Sequence, residues 1–382
     1  MTQKSRVIGA VVALLLLGFV LSACGATPVA QNWPGLTVAG DTVYLISGLP
    51  QKVFMLDAET GTQKGAFIPQ GEHSGVLYWS PVTEGGDLAF VGFAEPQEKV
   101  FGLYAFDPAT GSELWHVPTE DLILPAPTYA DGVVYFGSSD KRVYAVDVES
   151  RQLKAGWPFE TEEAIWASPL VADGRVYVVS MDHHLYCLDA ETGQEIWSEE
   201  VGGAMAAQPT LEDGILYVGA FDGQVHAIHA DTGKRVEGFD SMTAGNWIWS
   251  EVLVADGQLF VTSLDGKLYA LDPATGASLP SYPYDSGAAS DTQDGIRAAP
   301  VQAGEYVVVA TQAGWVRAIQ NAQPQWIWPS GGAPQAPVLT TPVVSGGRVY
   351  VALIPNEGPV QLQTLDAETG SPGWVFTPSE GQ

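Results

Sequence analysis

Few side chains in this sequence are spaced for chemistry. Asp182, His183 and His184 adjoin one another and offer one carboxylate and two imidazoles, donors that suit zinc. Neighbours in sequence cannot surround an ion, so a further ligand would have to come from elsewhere in the chain. The aligned pairs Lys141-Arg142, Gly223-Gln224 and Gly266-Lys267 favour a plain hairpin turn there. His226 and His229 flank Ile228, and His226 aligns with Tyr144 and Tyr186, a packing position. Asp285, Asp291 and Asp294 fall before the seventh repeat, where DTQDG fits a calcium loop only loosely. The sequence holds no G-x-S-x-G, no zinc signature and no C-x-x-C-H. No catalytic residue, metal centre or cofactor is therefore assigned, and the chain is read as not an enzyme.

Two cysteines remain, Cys24 and Cys187. Lys4 and Arg6 precede an apolar run from Val7 to Val20, and Leu-Ser-Ala-Cys-Gly follows at positions 21–25. A basic start, an apolar segment and small residues before the cut describe a secretory signal over residues 1–23. The order Leu-Ser-Ala-Cys resembles a bacterial lipobox, which implies a lipidated Cys24 as the new N-terminus and a short tether over residues 24–32. An uncleaved membrane anchor is the alternative. Both place residues 33–382 outside the cytoplasm, attached to a bilayer. With Cys24 acylated, Cys187 has no partner for a disulfide within the chain, and its apolar setting suits a buried thiol.

Acids outnumber bases by 44 to 16 over 382 residues, a net charge of −28 that becomes −30 once residues 1–23 with Lys4 and Arg6 are removed. Such a surface repels phosphate backbones, so nucleic acid is excluded as a partner. It repels anionic lipid too, which leaves membrane attachment to the lipid.

The rest of the sequence is repetition. YAFDPATGSELW (Tyr104 to Trp115) and YCLDAETGQEIW (Tyr186 to Trp197) share one pattern, and partial copies recur. Aligned on the Asp, the repeats fall at Asp57, Asp107, Asp147, Asp189, His229, Asp272, Gln320 and Asp366. Each unit divides into four short runs rich in Val, Ile, Tyr and Leu, separated by turns such as Asp173-Gly174. No mature segment shows a sustained helical period. Eight four-stranded antiparallel units close radially, so the fold expected is all-β, one eight-bladed β-propeller over 33–382. In D-x-x-T-G the Asp accepts backbone hydrogen bonds and the Gly supplies positive φ. An indole eight residues after the Asp, at Trp115, Trp197, Trp328 and Trp374, is expected to wedge between blades; Gly65, Glu237 and Pro280 depart from this, and Trp157 is displaced by two.

The pattern A-x-D-x-x-T-G-x-x-x-W resembles the tryptophan-docking motif of the PQQ-like (quinoprotein) β-propeller family. It is carried by Asp107, Gly111 and Trp115, by Asp189, Gly193 and Trp197, and by Asp366, Gly370 and Trp374. The resemblance implies that each indole packs on the next blade's turn. It also implies one of two functional kinds. Quinoprotein dehydrogenases hold their cofactor over adjacent cysteines, a pair this chain cannot form. BamB-like lipoproteins are non-enzymatic, and this chain is similar to them in length, lipobox and blade number.

Large side chains precede several innermost strands: Trp79, Trp166, Trp247, Trp249 and Arg297. In a propeller these positions ring one mouth of the channel. They suit a peptide, a glycan or a partner loop, or else they plug the channel. The expected function is a lipid-anchored, extracytoplasmic, monomeric interaction scaffold with this mouth as its binding face. The alternatives are an oxidoreductase module dependent on pyrroloquinoline quinone or a metal, and a cell-surface glycan or peptide binder.

Overall fold

The computed structural model describes residues 35–48, 51–69, 75–286, 295–334, 336–355 and 357–379. The signal segment, Cys24 and the tether, and with them Asp291 and Asp294, lie outside the described residues. Residues Trp33–Gln382 make one unit.

Blade 4 shows how the sequence builds a blade. Leu170–Ala172, Arg175–Val179, His184–Asp189 and Glu195–Glu200 pair in order as an antiparallel meander. Asp173 and Gly174 both take positive φ at the first hairpin, which is why an Asp-Gly pair stands there. Among the described residues eight such sheets follow one another, as expected. The first strand of each lies innermost, and successive first strands touch around the ring, Val343–Ser345 of blade 8 against Leu36–Ala39 of blade 1.

Alternation along the strands explains how a blade buries both faces. In blade 4, Val176, Val178, Tyr186 and Leu188 pack toward blade 3. Their neighbours Tyr177, Val179, Leu185 and Cys187 pack toward blade 5. The buried apolar side chains form eight clusters, each shared by two adjacent blades. The propeller thus has a ring of inter-blade cores. One of them joins Leu45 and Phe54 of blade 1 to Leu362 and Phe376 of blade 8, and Tyr350 Oη donates to the Ala58 carbonyl at 2.8 Å across the same seam.

The D-x-x-T-G turns build. Asp189 Oδ1 accepts from Thr192 N at 2.8 Å and Thr192 Oγ1 at 2.8 Å, and Gly193 N closes on the Asp189 carbonyl at 2.9 Å. Asp57 and Asp366 repeat the geometry. In each case the hydrogen bonds from the Thr hold the carboxyl below the usual range. The residue after the Asp, or after His229 in blade 5, offers its carbonyl to the preceding blade. Ala230 accepts from Tyr177 Oη and Trp197 Nε1, both at 3.2 Å, and Ala367 accepts from Trp326 Nε1 at 3.1 Å. The turn is the socket of an inter-blade lock, and the indole is its key.

Three details depart from the sequence reading. The indole of blade 7 is Trp326, against Gly370, and not Trp328. Blade 7 lacks the long turn, and Asn321-Ala322 with φ 51° and 58° makes a two-residue hairpin that draws the key two positions closer. Blade 5 is a three-stranded sheet, its fourth strand reduced to one bridge, Ile228 to Arg235. Asp285 belongs to the outermost strand of blade 6, opposite Lys267, and not to a loop.

Candidate functional site: an aromatic rim at the channel mouth

The loops that enter each blade are fixed by the hairpins between second and third strands. Asp182 Oδ2 accepts from Glu162 N at 2.9 Å, and Met181 N donates to the Ala164 carbonyl at 3.0 Å, which steadies the loop bearing Trp166. In blade 6, Asp265 Oδ2 accepts from Gly245 N at 2.9 Å, Ser263 Oγ donates to the Asn246 carbonyl at 3.1 Å, and Leu264 N reaches the Trp247 carbonyl at 3.0 Å. The same Asp side chains pin the third strand: Tyr186 Oη meets Asp182 at 2.9 Å and Tyr269 Oη meets Asp265 at 2.6 Å. His226 takes the tyrosine's place in blade 5, 2.9 Å from Asp222, so it belongs to the scaffold. His183 sits at φ 76° in the hairpin and His184 turns back on Asp182. Among the described residues no three His, Cys, Asp or Glu side chains are placed to hold a metal. Cys187 is buried between blades 4 and 5, and burial pushes its thiol up to about 11.

Four of the five rim residues come together. Trp166 of blade 4 and Trp249 of blade 6 have centroids 6.2 Å apart. The Arg297 guanidinium of blade 7 lies 4.0 Å from the Trp249 centroid. Phe221, unnoticed in the sequence, bridges the tryptophans: its ring is 4.8 Å from Trp247 at 8° and 4.8 Å from Trp249 at 25°. The rim is thus a stack of Trp247, Phe221, Trp249 and Arg297 with Trp166 leaning on it. Phe221 sits one residue before an Asp-Gly hairpin tip, where no core demands an aromatic; that position was its only signal. Trp79 stands apart on blade 2; among the described residues it has no ring contact to the stack, and its enclosed Nε1 meets no protein acceptor. Every member is half-buried. Burial works against the Arg297 charge and lowers its pKa, which the π-face of Trp249 offsets.

The rim side chains follow from strand alternation. Ile165, Ala167, Ile248 and Ser250 are buried in the blade interfaces, whereas Trp166, Ser168 and Trp249 between them are not. A cavity of about 410 Å³ opens instead at the other end of the blades, among Glu212, Asp213, Asp256 and Tyr217. Its acids belong to the hairpins joining first and second strands.

The family described as outer membrane protein assembly factor BamB (PQQ_2) matches residues 50–157, 154–333 and 289–382. The chain belongs to this family. Its propeller is similar to the crystal structure of BamB from Moraxella catarrhalis, with a TM-score of 0.66 at 20% identity over 86% of this chain and 92% of that one. It is equally similar to the computationally designed Ika8 protein, with a TM-score of 0.67 at 17% identity over 91% and 97%. At these identities the likeness concerns the fold. No curated protein matches the chain in sequence.

Proposed function

We propose that this protein is a lipid-anchored extracytoplasmic scaffold of the BamB type, which binds a protein segment on its aromatic rim. Cys24 carries the anchor, on the strength of the Leu-Ser-Ala-Cys motif. The observation that carries the reading is the half-buried stack of Trp247, Phe221, Trp249 and Arg297. Inter-blade locking has its own aromatic set, so this one answers to no need of the ring. Aromatic and arginine side chains at half exposure are what protein interfaces use as anchors. Membership of the BamB family agrees with a scaffold role.

The test is the double variant Trp166→Ala/Trp249→Ala, with pull-down from the membranes of the native host. Loss of at least tenfold in partner recovered is expected, since anchors of this kind contribute about 2 kcal/mol or more each. Undiminished capture by a variant that still melts cooperatively would show the rim to be a plug. Retention of the Cys24→Ser variant in the soluble fraction tests the anchor separately.

A further inference from the structure

The hairpin that carries Phe221 is tied differently from its siblings. In blades 3, 4 and 6 the hairpin aspartate takes two donors on Oδ2, an N–H of the entry loop and the phenol of the third strand. Asp140 accepts from Glu120 N at 3.0 Å and from Tyr144 Oη at 2.7 Å. Asp182 accepts from Glu162 N and Tyr186, and Asp265 from Gly245 N and Tyr269. In blade 5 Gly202 and Gly203 of the entry loop lie against Asp222, yet among the described residues no entry-loop N–H bonds to it. Its Oδ1 accepts from Gln224 N at 2.9 Å within the hairpin, and its Oδ2 meets His226 Nε2 at 2.9 Å. The imidazole therefore does alone what two donors do in the siblings.

Phe221 depends on that tie. Its ring is the middle member of the stack, 4.8 Å from both Trp247 and Trp249. Its N–H is held by the Ala204 carbonyl at 2.9 Å, and Asp222 follows it directly. The main chain before the ring is thus fixed by the entry loop, and the main chain after it by the Asp222 carboxylate.

Exchanging tyrosine for histidine changes what the tie responds to. Burial, and then the bond to the aspartate, raise the phenols of Tyr144, Tyr186 and Tyr269 above their ordinary value, so those three bonds are constant around neutrality. Imidazole is the side chain whose charge changes between about pH 5 and 8. Burial works against the Asp222 charge, but the bond to His226 holds its carboxyl below the ordinary value. A neutral His226 donates one hydrogen bond to this carboxylate; a protonated one adds an ion pair to the same bond. Val225 and Ala227 pack toward blade 6 and Ile228 toward blade 4, so alternation turns His226 toward blade 4. There Glu199, opposite Leu185, holds the register place of Phe159, opposite Val143, and Arg235 pairs with it at 2.8 Å. Glu200 follows on the same strand, and its carbonyl accepts from Arg235. Gly202 to Ala204 of the entry loop, Val218 of the second strand and Ser241 to Thr243 alongside carry no charge.

We infer that His226 is a pH-responsive positioning residue of the rim: its protonation tightens the hold on Asp222, steadies Phe221 in the stack and strengthens binding of the protein segment in acid. The binding half rests on the rim reading above; the structural half does not.

Near-UV circular dichroism of the purified full-length protein tests the structural half without a partner, because it reports on packed indoles. The parent signal is expected to titrate reversibly between about pH 5 and 8. His226→Tyr, which installs the tie of the sibling blades, is expected to be flat, and so is His226→Gln, which keeps a donor and cannot ionise. His183→Gln, in the neighbouring hairpin, should titrate as the parent does. A flat parent, a His226→Gln protein that still titrates, or a titration lost in His183→Gln overturns the assignment. Pull-down from native-host membranes tests the binding half. The parent should recover about fivefold more partner at pH 5.5 than at pH 8, as expected for one hydrogen bond strengthened by charge, and His226→Gln equal amounts at both. A ratio that survives in His226→Gln overturns the regulation. The rim reading is judged by the Trp166→Ala/Trp249→Ala capture and this one by the His226 variants, so the two fail separately.

Discussion

At the residue scale the decisive side chains are carboxylates, and neighbours set their behaviour. The Asp of each D-x-x-T-G turn is held ionised by Thr hydrogen bonds, whereas Glu251 is pushed toward its neutral form by burial alone. The second case has a sign that can be tested. A carboxyl raised in the folded state binds more protons folded than unfolded, so stability falls as pH rises from the unfolded value, near 4.3, through the raised folded one. Glu251→Gln is therefore expected to raise Tm at pH 7–8 and to leave it unchanged at pH 4, where both forms are neutral. Thermal melts across that range check it; a Tm lower than the parent's at pH 8 would mean that Glu251 has an unrecognised cationic partner. The turn carboxylates were legible in the sequence, because an Asp accepting from residues two and three ahead is a local device. Glu251 was not, since its setting arises only when eight distant segments share a channel.

At the element scale the repeat varies the key while keeping the lock. Trp115, Trp197 and Trp374 stand eight residues after the Asp, as the motif states. Blades 3, 5 and 6 use the tenth residue instead. Trp157 contacts Gly193, Phe239 contacts Gly276, and Tyr282 Oη accepts from Ala322 N at 3.1 Å. Blade 1 fills the place with Met55, whose Cε lies against Gly111 and Gly65. Fixed spacing recovered three of the eight, because the outermost strand can bulge or shorten without disturbing the core. The third strand keeps an unbroken register with the second, while its pairing with the fourth shifts by a bulge. The sockets are less tolerant. Gly233 has φ 71°, and a Cβ there would lie 2.6 Å from two atoms of the Trp197 ring. Gly233→Ala must bear a left-handed backbone, roughly 1–2 kcal/mol, and also displace an indole, for a total of about 3 kcal/mol. Gly257 has φ 69° and nothing within 4 Å of its Cβ site, so Gly257→Ala carries the backbone cost alone. Urea midpoints of the two variants measure the difference; equal losses would show that the indole does not need the socket.

At the scale of the whole molecule, closure is the property from which the channel and its rim follow. Blade number was legible because eight similar turns recur at 40–50 residue intervals, and each blade needs a neighbour on both faces. The partners across the closing seam were not legible, since nothing local pairs Ala58 with Tyr350, 292 residues apart. That seam has the same construction as the others: Trp374 meets Gly61, Tyr350 donates to Ala58, and Phe54 meets Phe376 at 5.4 Å. It differs in two respects: among the described residues Trp374 Nε1 finds no acceptor, whereas Trp197 Nε1 donates to Ala230, and no peptide link crosses it. A lost key elsewhere leaves two blades tethered, while a lost key here opens the ring to its full length. Trp374→Ala and Trp197→Ala remove the same half-buried indole, at about 3 kcal/mol each by truncation. The first is expected to cost more, since separated blades regain far more chain freedom when the break is terminal. Hydrogen exchange locates the effect. Trp374→Ala should raise exchange in blades 1 and 8 together and spare blades 4 and 5, whereas Trp197→Ala should do the reverse. A Trp374→Ala protein whose blade 1 amides exchange at the parent rate would show that the ring stays shut by backbone contacts between Leu36–Ala39 and Val343–Ser345, and that the rim geometry does not depend on this lock.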